Sequence, residues 1–215
     1  CTDKAAAFST YGHIKDWNVS GVTDMSNAFK DKTTFDENIT AWDVSNVTDM
    51  YRMFNGASSF NQPIYDWDVS NVTSMHDMFM SAHSFNQDIG DWNTSAATSL
   101  KQMFWGATSF NQDVSGWDTS KVTDMRQTFR QAISFNRNIN SWNVSSTKNM
   151  SYMFKDASAF NQDLGWCVGV GVDLDDAFDD TQCESTYCGV MWETNTGDCE
   201  VSRTGNVMVN WKIRW

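Results

Sequence analysis

Proline is almost missing from this chain: Pro63 is the single one among 215 residues. With a hydrophobic content of 40%, that excludes a Pro-rich or disordered polypeptide. No apolar run approaches the roughly 20 residues that a membrane-spanning helix needs. Basic residues are scarce too, 15 against 27 acids for a formal charge of −12. The chain therefore lacks the basic face that nucleic-acid phosphates demand, and cations or basic surfaces suit it better. The three histidines, His13, His76 and His83, sit at unrelated positions. No Cys/His metal spacing, nucleophile elbow or phosphate loop occurs. The expectation is a protein that is not an enzyme and needs no cofactor, with Ca²⁺ as the one candidate ion. The chain starts at Cys1 with no signal-peptide pattern before it, which reads as a processed or trimmed mature piece.

What is there is a repeat. Trp17, Trp42, Trp67, Trp92, Trp117 and Trp142 fall 25 residues apart, and Trp166 comes one residue early. Phe29, Phe54, Phe79, Phe104, Phe129, Phe154 and Phe178 stand twelve residues after these tryptophans. A Met or Leu stands eight after each, from Met25 to Leu174. A polar stretch such as "FNQPIYDWDVSNVTSMHDMF" is thus a template used many times, whereas a catalytic site is normally built once. Within "ITAWDVSNVTDMYRMF" the spacing of Trp42 and Val44 suits a short strand. The three-residue steps from Val47 through Met50 to Met53 suit a helical turn, with Thr48 or Asp49 as cap and Gly56 as exit. Each unit would bury its Trp, Met and Phe only by stacking on its neighbours. The predicted fold is an α/β leucine-rich-repeat-like solenoid of about seven coils, each a short parallel strand plus a short helix. Residues 1–16 form an N-terminal cap, 17–165 the regular array, 166–200 a degenerate coil with a Cys-rich cap, and 201–215 a strand tail.

The words "WDVSNVTDM" and "MF..A.SFNQDI..W" at this period resemble the BspA-like leucine-rich repeat surface proteins over about residues 11 to 180. That resemblance implies an extracellular, non-catalytic solenoid used in adhesion or surface interactions, and it supplies no catalytic residues. The last unit, "WCVGVGVDLDDAFDD", and the tail depart from the pattern.

Several polar columns are candidates for binding. The residues before and after each Trp form a carboxylate and amide stripe, most acidic at Asp66, Asp68 and Asp91 beside Asn93. Oxygen ligands of this kind suit Ca²⁺, as do Asp173, Asp175 and Asp176, but no compact Ca²⁺-loop spacing is present. Solvated side-chain ladders account for the same residues and are preferred. The Ser column from Ser20 to Ser145, with the Thr column that Lys148 breaks, allows a hydroxyl array of the ice-binding kind, though turn closure and capping explain them more simply. Sequons occur at Asn18, Asn38, Asn46, Asn71, Asn93, Asn143 and Asn149, sites for glycans if the host is a secreting eukaryote.

Cys167, Cys183, Cys188 and Cys199 cluster after the array and read as two disulfides of a secreted protein. Connectivity is open, with Cys167–Cys183 and Cys188–Cys199 preferred. Cys1 is left for a lipid, an intermolecular bond or one of the other four. In the tail Val207, Val209, Trp211, Ile213 and Trp215 alternate with polar residues, the pattern of a strand with one apolar face. Such a strand caps its own chain or adds to a neighbour. The functional expectation is a cell-surface or secreted module that binds surface protein or polysaccharide. The alternative is a fibre subunit, a homopolymer joined head to tail through its end coils and this strand.

Overall fold

The computed structural model describes residues 4–194 and 196–200. The helical part of the expected fold is overturned. Among the described residues the only α-helix is α1 (Lys4–Tyr11), which precedes the repeats, with 3-10 turns at Ile14–Asp16 and Glu184–Gly189. The strands among these residues are β1 (Cys167–Val168), β2 (Met191–Glu193) and β3 (Cys199–Glu200), in one small sheet of that order. Of the units only the last carries a strand at Trp-x-Val, β1, and none carries a helix directly after it, so the chain is not an α/β solenoid of seven strand-and-helix coils.

Each repeat instead contributes a single bridging residue followed by a chain of turns. Parallel β-bridges run Asp24, Asp49, Ser74, Ser99, Asp124, Asn149, Asp173, one residue wide. After the bridge, i-to-i−3 hydrogen bonds follow one another: Met53 N–H to Met50 C=O, Asn55 to Arg52, Ala57 to Phe54. The spacing of Met50 and Met53 that suggested a helix is the spacing of these successive turns, and periodicity alone does not separate the two. The expected cap Asp49 does accept an N–H, from Tyr51 at 2.7 Å, but it caps a turn.

What forbids a helix is the left-handed backbone at positions ten and fourteen after each Trp. Arg52, Asp77, Gln102, Gln127 and Tyr152 have φ of 55–59°. Gly56 and Gly106 stand at φ 71° and 69°, and a Cβ on Gly56 would lie 2.7 Å from Asp31 Oδ1. For a non-glycine residue this costs about 1–2 kcal/mol. The return is that alternating right- and left-handed residues turn every second N–H group toward the next layer. Arg52, Phe54 and Gly56 donate to the carbonyls of His76, Met78 and Met80 in the next layer at 2.8–3.0 Å.

The core runs along the stack in files. Phe29 through Phe178 lie 5.4–5.7 Å centroid to centroid. A second file, Phe35 through Phe160, runs beside it at 5.8–6.0 Å. Ile39, Val44, Val47, Met50, Met53 and Phe54 are all buried, as their spacing predicted. Polar ladders brace the files. The amide oxygens of Asn61, Asn86, Asn111 and Asn136 each accept the N–H of the asparagine one repeat later at 2.9–3.0 Å. That explains the recurring "SFNQ" word.

Each Trp indole N–H from Trp42 to Trp142 donates to the carbonyl of the residue 28 positions earlier. The one-residue slip before Trp166 breaks this series, and its buried Nε1 has no partner among the described residues. Trp117→Phe should therefore destabilise by about 1 kcal/mol more than Trp166→Phe, the net value of one hydrogen bond. Urea denaturation of the two variants tests this, and equal losses would show that the indole ladder contributes nothing.

Disulfides join Cys167 to Cys199 and Cys183 to Cys188. The four clustered cysteines pair among themselves as expected, but the preferred partners are wrong. β3 returns antiparallel along β2, which is parallel to β1, and this brings Cys199 within 5.7 Å (Cα–Cα) of Cys167. Tyr187 and Cys188, both at φ 50°, turn the chain back onto Cys183. Cys1 and the tail residues Val207, Val209, Trp211, Ile213 and Trp215 lie outside the described residues.

Candidate functional site

The acidic stripe is exposed, and much of it is occupied with its own backbone. Asp68 Oδ1 accepts the N–H of Ser70 at 3.0 Å and Asn93 Oδ1 that of Ser95 at 3.1 Å. Asp43 accepts both the hydroxyl and the N–H of Ser45, at 2.6 and 3.1 Å. Hydrogen bonds from the serine two residues on hold the carboxyls of Asp43, Asp68 and Asp118 below the usual carboxylate range. These side chains close turns. Asp66 and Asp91 are exposed. Asp66 also borders an open depression of about 540 Å³ with Lys15, Asp16, Asn38 and Asp43.

Among the described residues no three His, Cys, Asp or Glu side chains are grouped to hold a metal ion. Asp173 accepts from Asp175 N–H and Asn149, Asp175 from the Tyr152 hydroxyl, and Asp176 from Lys155 Nζ. The Thr hydroxyls are engaged as well: Thr48, Thr73, Thr98 and Thr123 bond to the Thr carbonyl one repeat earlier. Of the sequon asparagines, Asn18, Asn38, Asn46, Asn71, Asn93 and Asn143 are exposed and Asn149 is half-buried. The amides of Asn46 and Asn71 donate to Ser20 and Ser45 carbonyls.

The chemistry that does gather lies elsewhere, on the strip of left-handed turns. The Tyr51 ring sits 5.2 Å from His76 and beneath the Arg52 guanidinium. Arg52 Nε donates at 2.9 Å to Asp77, whose side chain is 1% exposed. Asp77 Oδ1 lies 2.8 Å from His76 Nε2, off the axis of a hydrogen bond. Burial acts to raise this carboxyl, but His76 and Arg52 prevail and hold it below the usual range. Gln102 links His76 to Gln127 in the next layers. From there the strip continues to Arg130, which bonds through its N–H to the Gln127 carbonyl.

Arg130 is the unusual cation. Its guanidinium carbon lies 5.0 Å from the Trp105 ring centroid and 5.8 Å from that of Tyr152. Trp105 is fixed by its indole N–H on Gln131 Oε1 at 3.0 Å. Arg52, Arg126 and Lys155 each pair with a carboxylate. Arg130 pairs with none among the described residues, and its Nε is buried without a hydrogen-bond partner. In a chain of net charge −12, a guanidinium without a carboxylate partner among the described residues and packed on aromatic rings has the chemistry to meet an anion.

The family model described as "Mycoplasma protein of unknown function, DUF285" matches residues 2–113 and again residues 88–187. The chain belongs to the DUF285 family. Comparison with curated proteins gave no significant match. DUF285 membership confirms the repeat, because the model matches twice along one chain. The match names no site, and the residues of the Arg130 face stand at positions that vary from one repeat to the next. Reading the template therefore missed Tyr51, His76, Asp77, Trp105, Arg130 and Tyr152. One signal was available: Trp105 is a tryptophan off the 25-residue file.

Proposed function

We propose that this chain is a non-catalytic extracellular interaction module, akin to the BspA-like surface proteins its repeat words resemble. Its binding face is the strip around Trp105, Arg130 and Tyr152, and its ligand an acidic surface polysaccharide. The observation that carries this reading is Arg130 itself, unpaired among the described residues and held between two aromatic rings. A guanidinium positioned in this way meets a carboxylate or sulfate with little loss of side-chain freedom. Extracellular placement is supported by the two disulfides, which persist in oxidising compartments. No helix among the described residues is long and apolar enough to cross a membrane.

Binding to polygalacturonate and to dextran sulfate, measured by calorimetry at low and high salt, tests the proposal. Arg130→Ala is expected to weaken binding about tenfold, within the range for a hydrogen bond to a charged group. Asp68→Ala should leave it unchanged. Failure of the native chain to bind either polymer, or equal binding by Arg130→Ala, would sink the reading.

A further inference from the structure

We propose that the two ends of the repeat stack dock on one another, so that copies of this chain join head to tail. The stack has a direction. In the turn strip every inter-layer N–H donates toward the C-terminal neighbour, from Phe29 to Met53 C=O at the start to Phe154 to Ala177 C=O at the end. A stack built this way ends in unlike edges. At the first layer the carbonyls of Ser26, Ala28 and Lys30 receive no N–H from the described residues. At the last layer the N–H groups of Leu174, Asp176 and Phe178 find no acceptor among them. The described cap takes the strip's fourth N–H, that of Asp180, on Glu184 Oε2 at 3.2 Å. Other cap contacts, such as Leu164 N–H to Cys188 C=O and Met191 N–H to Trp166 C=O, leave Leu174, Asp176 and Phe178 N–H without an acceptor among the described residues.

The first layer is also open in its packing. Ala28 is exposed, whereas Met53, Met78, Met103 and Met153 in the same column are wholly buried. A second copy laid on in register would direct Asp176 N–H at the Ser26 carbonyl and Phe178 N–H at that of Ala28, repeating the contact every internal layer makes.

Charge selects the same partner. No Lys or Arg occurs between Asp156 and Glu200, whereas the first layer carries Lys30 and Lys32. Inside the stack Lys155 reaches forward to Asp176 at 2.8 Å and Asp179 at 3.3 Å. Lys30 stands thirteen residues after its Trp, as Lys155 and Asp179 do after theirs. In register, Lys30 of the next copy therefore meets Asp179 from the side opposite Lys155. The carboxylates around these N–H groups repel a free anion. The N–H groups can donate to neutral carbonyl oxygens, and the first layer offers these beside Lys30, whose nearest carboxylate is Asp31 at 4.0 Å. A head-to-tail contact that does not close on itself propagates as a linear chain.

Sedimentation velocity across a concentration series tests this, on full-length chain with Cys1→Ser so that no thiol bridge stands in for the contact. Oligomers that lengthen with concentration are expected. Lys30→Glu with Lys32→Glu sets acids at the first layer opposite the carboxylates of the last, and Asp175→Lys with Asp179→Lys sets lysines at the last layer opposite Lys30 and Lys32. Each variant alone, with native circular dichroism, should dissociate about tenfold or more readily than the parent, since like charges then face each other. An equimolar mixture of the two should assemble again. A parent chain that stays monomeric to millimolar concentration would overturn the proposal, and so would variants that assemble alone as the parent does. None of these substitutions alters Arg130, so polysaccharide binding and assembly fail or survive separately.

Discussion

Replacing Phe104 with alanine is expected to cost about 4 kcal/mol, the range for removing a fully buried phenylalanine. Its ring stacks on Phe110 at 4.0 Å in its own layer, and on Phe79 and Phe129 at 5.7 and 5.5 Å in the layers on either side. A repeat array owes its stability to the sum of its layers and the interfaces between neighbours. Phe104→Ala damages one layer and two interfaces. Phe29, in the first layer, has a file neighbour on one side and is 9% exposed, so Phe29→Ala should cost roughly half as much. Urea denaturation followed by circular dichroism measures both. Similar losses at the two positions would mean that the files do not couple neighbouring layers.

The second large effect belongs to the cap. Replacing Cys167 and Cys199 by serine reopens a loop with a sequence separation of 32 residues, worth about 3–4 kcal/mol if the bond acts by limiting the unfolded chain. Removing Cys183–Cys188, with a separation of 5, should cost only about 2 kcal/mol on the same footing. The first loss should be local, because the bridge ties β3 to β1 in the last layer and touches no layer before it. Hydrogen exchange at Met191 N–H, which donates to Trp166 C=O at 2.7 Å, should quicken by roughly several hundredfold. Exchange at Thr98 N–H, bonded to Thr73 deep in the array, should not change. Uniform acceleration at both sites would show that the cap and the array unfold as one unit.

Much of the core was legible before any coordinates, since a column that keeps Phe or Trp at a 25-residue period must face inward for the stack to exist. The backbone between those columns was not legible. Met50, Met53 and Phe54 obey a helical spacing, and chained turns place them on the same inward face. The choice between the two lies in the left-handed residues, and Arg52, Gln102 and Tyr152 carry no local mark of that conformation. Glycine at 56 and 106 was the one hint, and it was equally consistent with a helix exit. The disulfide partners were hidden for a related reason: Cys199 reaches Cys167 only because β3 returns along β2, a long-range pairing that cysteine spacing does not encode.

By itself the sequence determined the repeat, the buried files of Trp, Met and Phe, the pairing of the four C-terminal cysteines among themselves and the acidic end of the chain. These follow from residue type and period, which are one-dimensional quantities. Tertiary structure alone decided the direction of the inter-layer hydrogen bonds, and with it the unlike edges at the two ends. It also set Arg130, which has no carboxylate partner among the described residues, against two aromatic rings. Arg130 meets Trp105 and Tyr152 from the layers on either side, and the acceptor of each inter-layer N–H in the turn strip lies 23 or 24 residues away along the chain. Contacts of that kind exist only once the layers have stacked.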